Sequence, residues 1–386
     1  MKEINDLIEA YEEASLQNKQ TALATVVHVE GSSYRKAGAR MLVTEDGTLT
    51  GAISGGCLEG DALRKALLVI AQQKNMLVVY DTSDEDDAKF GMGLGCNGII
   101  HVLLEPVNPE NTNNPIHLLK GISGKRQKAA AITLFSMDDK KDEQAGTCLV
   151  LTEDGSILGD APFLQDVLLA EAKNALEKQQ SSFRNYFFEN RSVTAFAEML
   201  KPTISLIIIG AGNDVVPLAK MSEILGWKTT VIDGRPAYAK KERFGASCQV
   251  LLSKPEDVLH QVHIDEQTVF VLMTHNYNYD IAMLRALLNN DVTYIGMLGS
   301  RRKIDRMLNE LEEEGISLSG QQLSVIHSPV GLDIGAETSE EIALSVVAEI
   351  KAVLAKKEST FLKNNTEGIQ SRAESKIEEV KLISEQ

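Results

Sequence analysis

Over the first eighteen residues the apolar positions Ile4, Leu7, Ile8, Tyr11 and Leu16 return on one helical face, so residues 2–18 are expected to form an amphipathic helix. The period then shortens. Thr21 to Val29 is an apolar run that reads as a strand, broken by Gly31-Ser32-Ser33-Tyr34-Arg35. Met41 to Thr44 and Thr48 to Thr50 flank Glu45-Asp46-Gly47, a hairpin pattern with glycine in the turn. A glycine-rich bend (Gly51, Gly55, Gly56) leads to a helix from about Leu58, whose apolar face is Leu58, Ala62, Leu63, Ala66, Leu67 and Ile70. Met76 to Tyr80 and Ile99 to Leu104 read as further strands. One echo stands out: Leu42 to Gly51 resembles Leu149 to Gly159, and a helix pattern follows each. Either a β-hairpin–helix unit is duplicated, or two hairpins share the same turn chemistry. The second stretch lacks the Gly-Gly-Cys of the first.

From Ile204 the pattern changes to strands alternating with helices, the signature of a parallel sheet. With 386 residues the chain is long enough for two or three cores. The expected fold class is therefore α/β: a C-terminal Rossmann-type parallel sheet preceded by an α+β domain built from β-hairpin–helix units. The expected divisions are 1–200, 201–355 and a charged tail over 356–386, with Pro202 marking the first boundary.

The Rossmann entry can be read residue by residue. Ile204 to Ile209 is a buried-strand run, Gly210-Ala211-Gly212-Asn213-Asp214-Val215 follows, a helix comes next, and Thr229 to Ile232 ends in Asp233. Gly210 suits a tight turn and Gly212 a close backbone approach to phosphate at a helix N-terminus. Asp233 is placed to accept hydrogen bonds from ribose hydroxyls. Two features cut against a dinucleotide: Val215 replaces the third glycine, and Asp214 puts negative charge beside the phosphate position. His275 follows the strand Val269 to Met273, at the end where ligands bind, and is a candidate acid/base, a metal ligand, or a loop histidine capping the next helix. Ser300 and Arg301 follow the strand Val292 to Ile295 and open a helix, where basic groups suggest a nearby anion or a solvated patch.

Net charge changes the picture by exclusion. At −16 the chain repels phosphodiester backbones and anionic lipid surfaces, so neither nucleic acid nor membrane is an expected partner. The first residues lack a basic-then-apolar leader, and cytoplasm is the expected location. None of the four cysteines forms a CxxC pair. Cys57, after Gly55-Gly56 and at a helix start, is the candidate for a reactive or metal-binding thiolate. Cys96, in Gly95-Cys96-Asn97-Gly98, is a candidate second soft ligand or a turn cysteine. Cys148 and Cys248 read as structural. Arg35 and Arg40, flanking Gly38, are candidates for binding an anionic group or solvated loop charges.

Taken together, the chain resembles the XdhC/CoxI family. The resemblance rests on Gly31-Ser32-Ser33-Tyr34-Arg35 with Gly38-Ala39-Arg40-Met41, Ser54-Gly55-Gly56-Cys57-Leu58-Glu59, Gly95-Cys96-Asn97-Gly98 and Ile209-Gly210-Ala211-Gly212. Val231 to Arg235, Thr274-His275 through Asp280, Gly296 to Lys303 and Ser328 to Ala336 continue it in order. It implies an accessory factor that binds the molybdenum cofactor, as molybdopterin or a dinucleotide form, assists its sulfuration, and inserts it into a xanthine dehydrogenase-type molybdoenzyme. It also implies a cysteine desulfurase as partner and is compatible with a homodimer. Asn213 and Asn97 depart from the family's histidine and glycine. Two other readings stand beside it. One is an NAD(P)-dependent oxidoreductase using His275. The other is a ligand sensor or scaffold in which neither Cys57 nor His275 matters.

Overall fold

The computed structural model describes residues 1–82, 98–138, 142–161, 163–188, 191–364 and 377–381. The chain divides into two compact units, Met1–Pro202 with Leu362–Gln386, and Thr203–Phe361.

The first unit is one pattern run twice. α1 (Lys2–Leu16) precedes β1 (Thr21–Gly31), β2 (Arg40–Thr44), β3 (Leu49–Gly51), α2 (Glu59–Gln72), β4 (Met76–Asp81) and β5 (Gly98–Val107). The second run is α3 (Pro115–Lys120), β6 (Ala129–Phe135), β7 (Gly146–Thr152), β8 (Ile157–Gly159), α4 (Gln165–Lys178), β9 (Ser182–Phe188) and β10 (Arg191–Leu200). The sheets have orders β3-β2-β1-β5-β4 and β8-β7-β6-β10-β9, the second carrying one further strand beyond β9. The hairpin turns repeat to the hydrogen bond: Thr44 N–H donates to Thr48 O (3.1 Å), and Thr152 N–H to Ser156 O (3.0 Å). The echo in the sequence is thus a repeated hairpin–helix unit, extended by the strands on either side.

Strand alternation explains the layering. Ala22, Ala24 and Val26 of β1 face α2, whose Ala62, Ala66 and Val69 complete one core. Leu23 and Leu42 point the other way, and share a core with Ala129, Ala131 and Val150 of the second sheet and with α1. Ala130, Ile132 and Leu149 meet Leu168 and Ala172 of α4. Two sheets therefore lie face to face with one helix on each outer side.

The repeat is also visible in buried charge. Glu105 lies opposite Leu23, the third residue of β1, and Glu198 lies opposite Ala131, the third residue of β6. Each glutamate crosses to the other sheet. Glu105 accepts from the Thr147 N–H (2.6 Å) and hydroxyl (3.0 Å) on β7. Glu198 accepts from both terminal nitrogens of Arg40 on β2.

The second unit is a six-stranded parallel sheet: β11 (Ser205–Ile209), α5 (Val215–Ile224), β12 (Lys228–Asp233), β13 (Gln249–Leu252), α6 (Pro255–Val258), β14 (Thr268–Leu272), α7 (Tyr277–Leu288), β15 (Ile295–Met297), α8 (Arg301–Glu313), α9 (Gly320–Ser324), β16 (Ile326–His327) and α10 (Ser339–Leu354). Its order, β13-β12-β11-β14-β15-β16, is the doubly wound 3-2-1-4-5-6 arrangement. Leu206 and Ile208 of β11 face α5 and α10, while Ile207 and Ile209 face α7 and α8. The α/β class and the C-terminal Rossmann sheet are as the pattern predicts. The segment read as a charged tail instead supplies β17 (Ile377–Lys381), which pairs in parallel with β9. Among the described residues no helix is long and apolar enough to cross a membrane.

Candidate functional site

In the first unit the glycine-rich bend runs straight into α2. Ser54 is buried and organises it: its Oγ accepts from the Gly56 and Leu58 N–H groups (3.2 Å each) and donates to the Glu59 carboxylate. Glu59 turns back to accept from the Ser54 N–H (2.8 Å) and the Leu58 N–H (3.2 Å). Burial works against the charged form of Glu59, but the hydrogen bonds from the Ser54 hydroxyl and backbone outweigh it and hold the carboxyl below its ordinary range. The Ser54, Gly56 and Leu58 N–H groups leading into α2 are therefore engaged by Ser54 and Glu59. Cys57 is left half-buried, its thiol 3.4 Å from Ser54 Oγ. Gly56 has φ +108°, and nothing lies within 4 Å of where a side chain would begin, so the bend is open beside the thiol. The Tyr34 ring, 68% exposed, lies against Gly55.

The two arginines expected here part company. Arg35 is bound by both oxygens of Glu3 (2.7 Å each) in an accessible pair. Arg40 is a correction: its guanidinium is buried, paired with Glu198 and donating to the Gly38 carbonyl (2.9 Å), so it braces the two sheets instead of facing an anion from solvent. Cys96 lies outside the described residues. Cys148 and Cys248 are buried, and burial pushes both thiols up, Cys148 to about 12. Among the described residues no three His, Cys, Asp or Glu side chains converge as a metal set.

At the carboxyl edge of the parallel sheet, Gly210 has φ +116°, and a side chain there would begin 2.4 Å from the Met273 carbonyl oxygen. Its glycine is required by the neighbouring strand's close approach. A side chain on Gly212 would begin 2.3 Å from Asp214 Oδ1. The other Asp214 oxygen is 2.8 Å from His275 Nε2. A carboxylate, held by a histidine, thus lies against the glycine that the sequence assigns to phosphate. His275 is exposed and left-handed (φ +55°), an uncommon backbone for a non-glycine residue. Asn276 caps α7 immediately after it.

Asp233 is the second correction. It is buried, and its carboxylate is filled from within: Oδ2 accepts from the Ala211 N–H (2.8 Å) and Arg235 Nη2 (2.8 Å), Oδ1 from Arg235 N–H and Nε (2.9 Å each). Burial opposes its charge, but the Arg235 hydrogen bonds prevail and hold the carboxyl low. No acceptor position remains for a ribose diol. Ser300 N-caps α8 without a side-chain hydrogen bond, and Arg301 is an exposed residue paired with Asp305 one turn on (3.5 Å).

Several organising residues escaped the sequence reading. Asp280, fully buried, accepts from the Thr274 hydroxyl (2.6 Å) and from Lys303 Nζ (2.6 Å), which also reaches the Leu298 carbonyl (3.1 Å). This ties the ends of β14 and β15 to α7 and α8. Arg243 donates to the Ala211 carbonyl and to Asn213 Oδ1 (2.9 Å), clamping the glycine loop from a segment thirty residues away.

Residues 14–81 match the XdhC and CoxI family, and residues 206–350 match the XdhC Rossmann domain. A Bacillus subtilis (strain 168) protein, named as a probable xanthine dehydrogenase subunit, is 35% identical over 341 residues, covering 88% of this chain and 94% of its own. The Escherichia coli (strain K12) protein named "Molybdenum cofactor insertion chaperone PaoD" is 24% identical over 88% of this chain and 86% of its own. A crystal structure described as a xanthine dehydrogenase from Bacillus halodurans superposes with a TM-score of 0.72 at 32% identity, covering 91% of this chain and 96% of that one.

Proposed function

The chain belongs to the XdhC and CoxI family, and from that premise we propose that it is an accessory factor for a xanthine dehydrogenase-type molybdenum hydroxylase. It binds the molybdenum cofactor as cargo, assists its sulfuration with sulfur supplied by a cysteine desulfurase, and inserts it into the apo-enzyme. The observation that carries this reading is the likeness running through both units to a protein named a molybdenum cofactor insertion chaperone.

We assign the cargo to the Gly-Gly-Cys bend. A dithiolene-bound molybdenum centre is soft and anionic, and suits a thiolate ligand. Cys57 is a half-exposed thiol on an open glycine bend. Arg35 is the cation available to the cofactor's phosphate, because an accessible ion pair such as Arg35–Glu3 holds its partners by only about 0–1 kcal/mol and can exchange. Tyr34 offers a ring face on the same bend. Binding, orientation and release are tasks for these side chains.

Reconstitution tests the proposal. Apo-hydroxylase is supplied with free molybdenum cofactor and a cysteine desulfurase, with and without this protein. Hydroxylase activity should recover faster with the protein present, and Cys57→Ala should return the rate to the protein-free level. Equal recovery in all three mixtures would contradict an insertion role.

A further inference from the structure

The Rossmann unit carries a second candidate site that does not depend on Cys57. After β12 the chain reads Arg235-Pro236-Ala237-Tyr238-Ala239-Lys240-Lys241-Glu242-Arg243, four cations against one carboxylate in a protein of net charge −16. These charges are arranged. The Arg235 guanidinium lies 4.0 Å over the Tyr238 ring, and that of Arg243 is 5.6 Å from the same ring and 5.4 Å from Phe244. Tyr238 is 40% exposed and the Arg235 side chain 48% exposed. Lys241 is turned aside onto the Ala246 and Cys248 carbonyls.

The end of the second strand is where a Rossmann fold meets the ribose of a bound nucleotide. An unphosphorylated ribose is recognised there by a carboxylate with free acceptor positions. Asp233 has none, since Ala211 and Arg235 take both oxygens twice. Arg235 uses only its Nε and Nη2 edge on Asp233, and a guanidinium fork keeps further donors on its other edge. The glycine loop offers little to a pyrophosphate, because the Asp214 carboxylate lies against Gly212. Donors for an anion are thus concentrated after β12.

We infer that the Arg235–Tyr238–Arg243 cluster is a phosphomonoester site, and that the Rossmann unit selects a nucleotide whose ribose bears a 2′-phosphate over one with a free diol. The outer edge of Arg235 takes the phosphate, and its stacked plane and Tyr238 take the base. Arg243 holds the tyrosine and the glycine loop in position. The inference goes beyond cofactor insertion and stands or falls separately from it.

Calorimetric titration of the full chain at about 0.15 M salt, a physiological ionic strength, tests this. The probes are NADPH beside NADH, and adenosine 2′,5′-bisphosphate beside AMP. The phosphorylated member of each pair should bind at least about tenfold tighter, the fold-change that one charge-assisted hydrogen bond supplies. Arg235→Ala and Tyr238→Ala should bring both ratios close to one, because the phosphorylated probe of each pair loses phosphate and base contacts while its partner loses the base contact alone. Unchanged unfolding midpoints show that the variants remain folded. Equal affinities in the wild-type protein, or a preference that survives both substitutions, would overturn the inference. So would the absence of binding by all four probes, and if the same preparation still retained molybdenum, the insertion reading would stand without it.

Discussion

Arg40 and Glu198 show how a residue's role depends on a partner the local sequence does not name. Arg40 sits beside a glycine loop and reads as an anion ligand, yet its partner lies 158 positions away on the other sheet. Removing one member of a buried ion pair leaves the other charge uncompensated, which costs about 3–5 kcal/mol. Arg40→Ala should destabilise the first unit by that order, read as a lower urea midpoint, and joint replacement by Met and Leu should lower the midpoint far less. Asp233 repeats the lesson at short range: the strand–glycine–helix–acid spacing was legible, but whether the acid serves a ligand depended on Arg235 two residues on. Gly210 was legible as a glycine with a backbone purpose, although the purpose is the approach of Met273. Gly210→Ala should cost at least about 1–3 kcal/mol from its left-handed backbone alone, measurable as a lower midpoint of the second unit.

At the scale of elements, the apolar pattern announced the helices because each buries one face and the inner strands because they bury both. α2 illustrates what the pattern leaves out. Its start is fixed by Ser54 and Glu59, polar residues whose mutual hydrogen bonds invert no hydrophobic rule. Glu59 is held below its ordinary value, so its contribution is present at neutral pH, above the unfolded carboxylate's pKa. It is lost as pH falls through the lowered folded value. Glu59→Gln should therefore destabilise by about 1–2 kcal/mol at pH 7, as weakening of hydrogen bonds to a charged group does. The difference from the wild-type protein should shrink toward zero in acid. A constant deficit across pH would show that the charge is not what matters. β17 was not legible, because a polar strand at a sheet edge has little apolar content to announce it. Val380 nevertheless packs against the α4-covered core, and Val380→Asp should loosen β9, seen as faster amide exchange along Phe183 to Phe187.

The whole molecule is a duplicated β-hairpin–helix unit followed by a Rossmann unit. Only the hairpin turn of the duplication survives strongly in sequence, because Thr44-Glu45-Asp46-Gly47 and Thr152-Glu153-Asp154-Gly155 answer to the same turn geometry, whereas the sheet faces accept any apolar residue that fits. The two copies are not equivalent in chemistry. The Gly-Gly-Cys bend is confined to the first, and the proposed insertion role places the cargo there. That claim is tested most directly by loading the purified protein with molybdenum cofactor, separating it by gel filtration, and measuring the molybdenum retained by the wild-type protein and by Cys57→Ala. The account predicts near-stoichiometric molybdenum on the wild-type protein and little on the variant. Equal retention by both would contradict Cys57 as the ligand, and none on either would contradict cofactor binding itself.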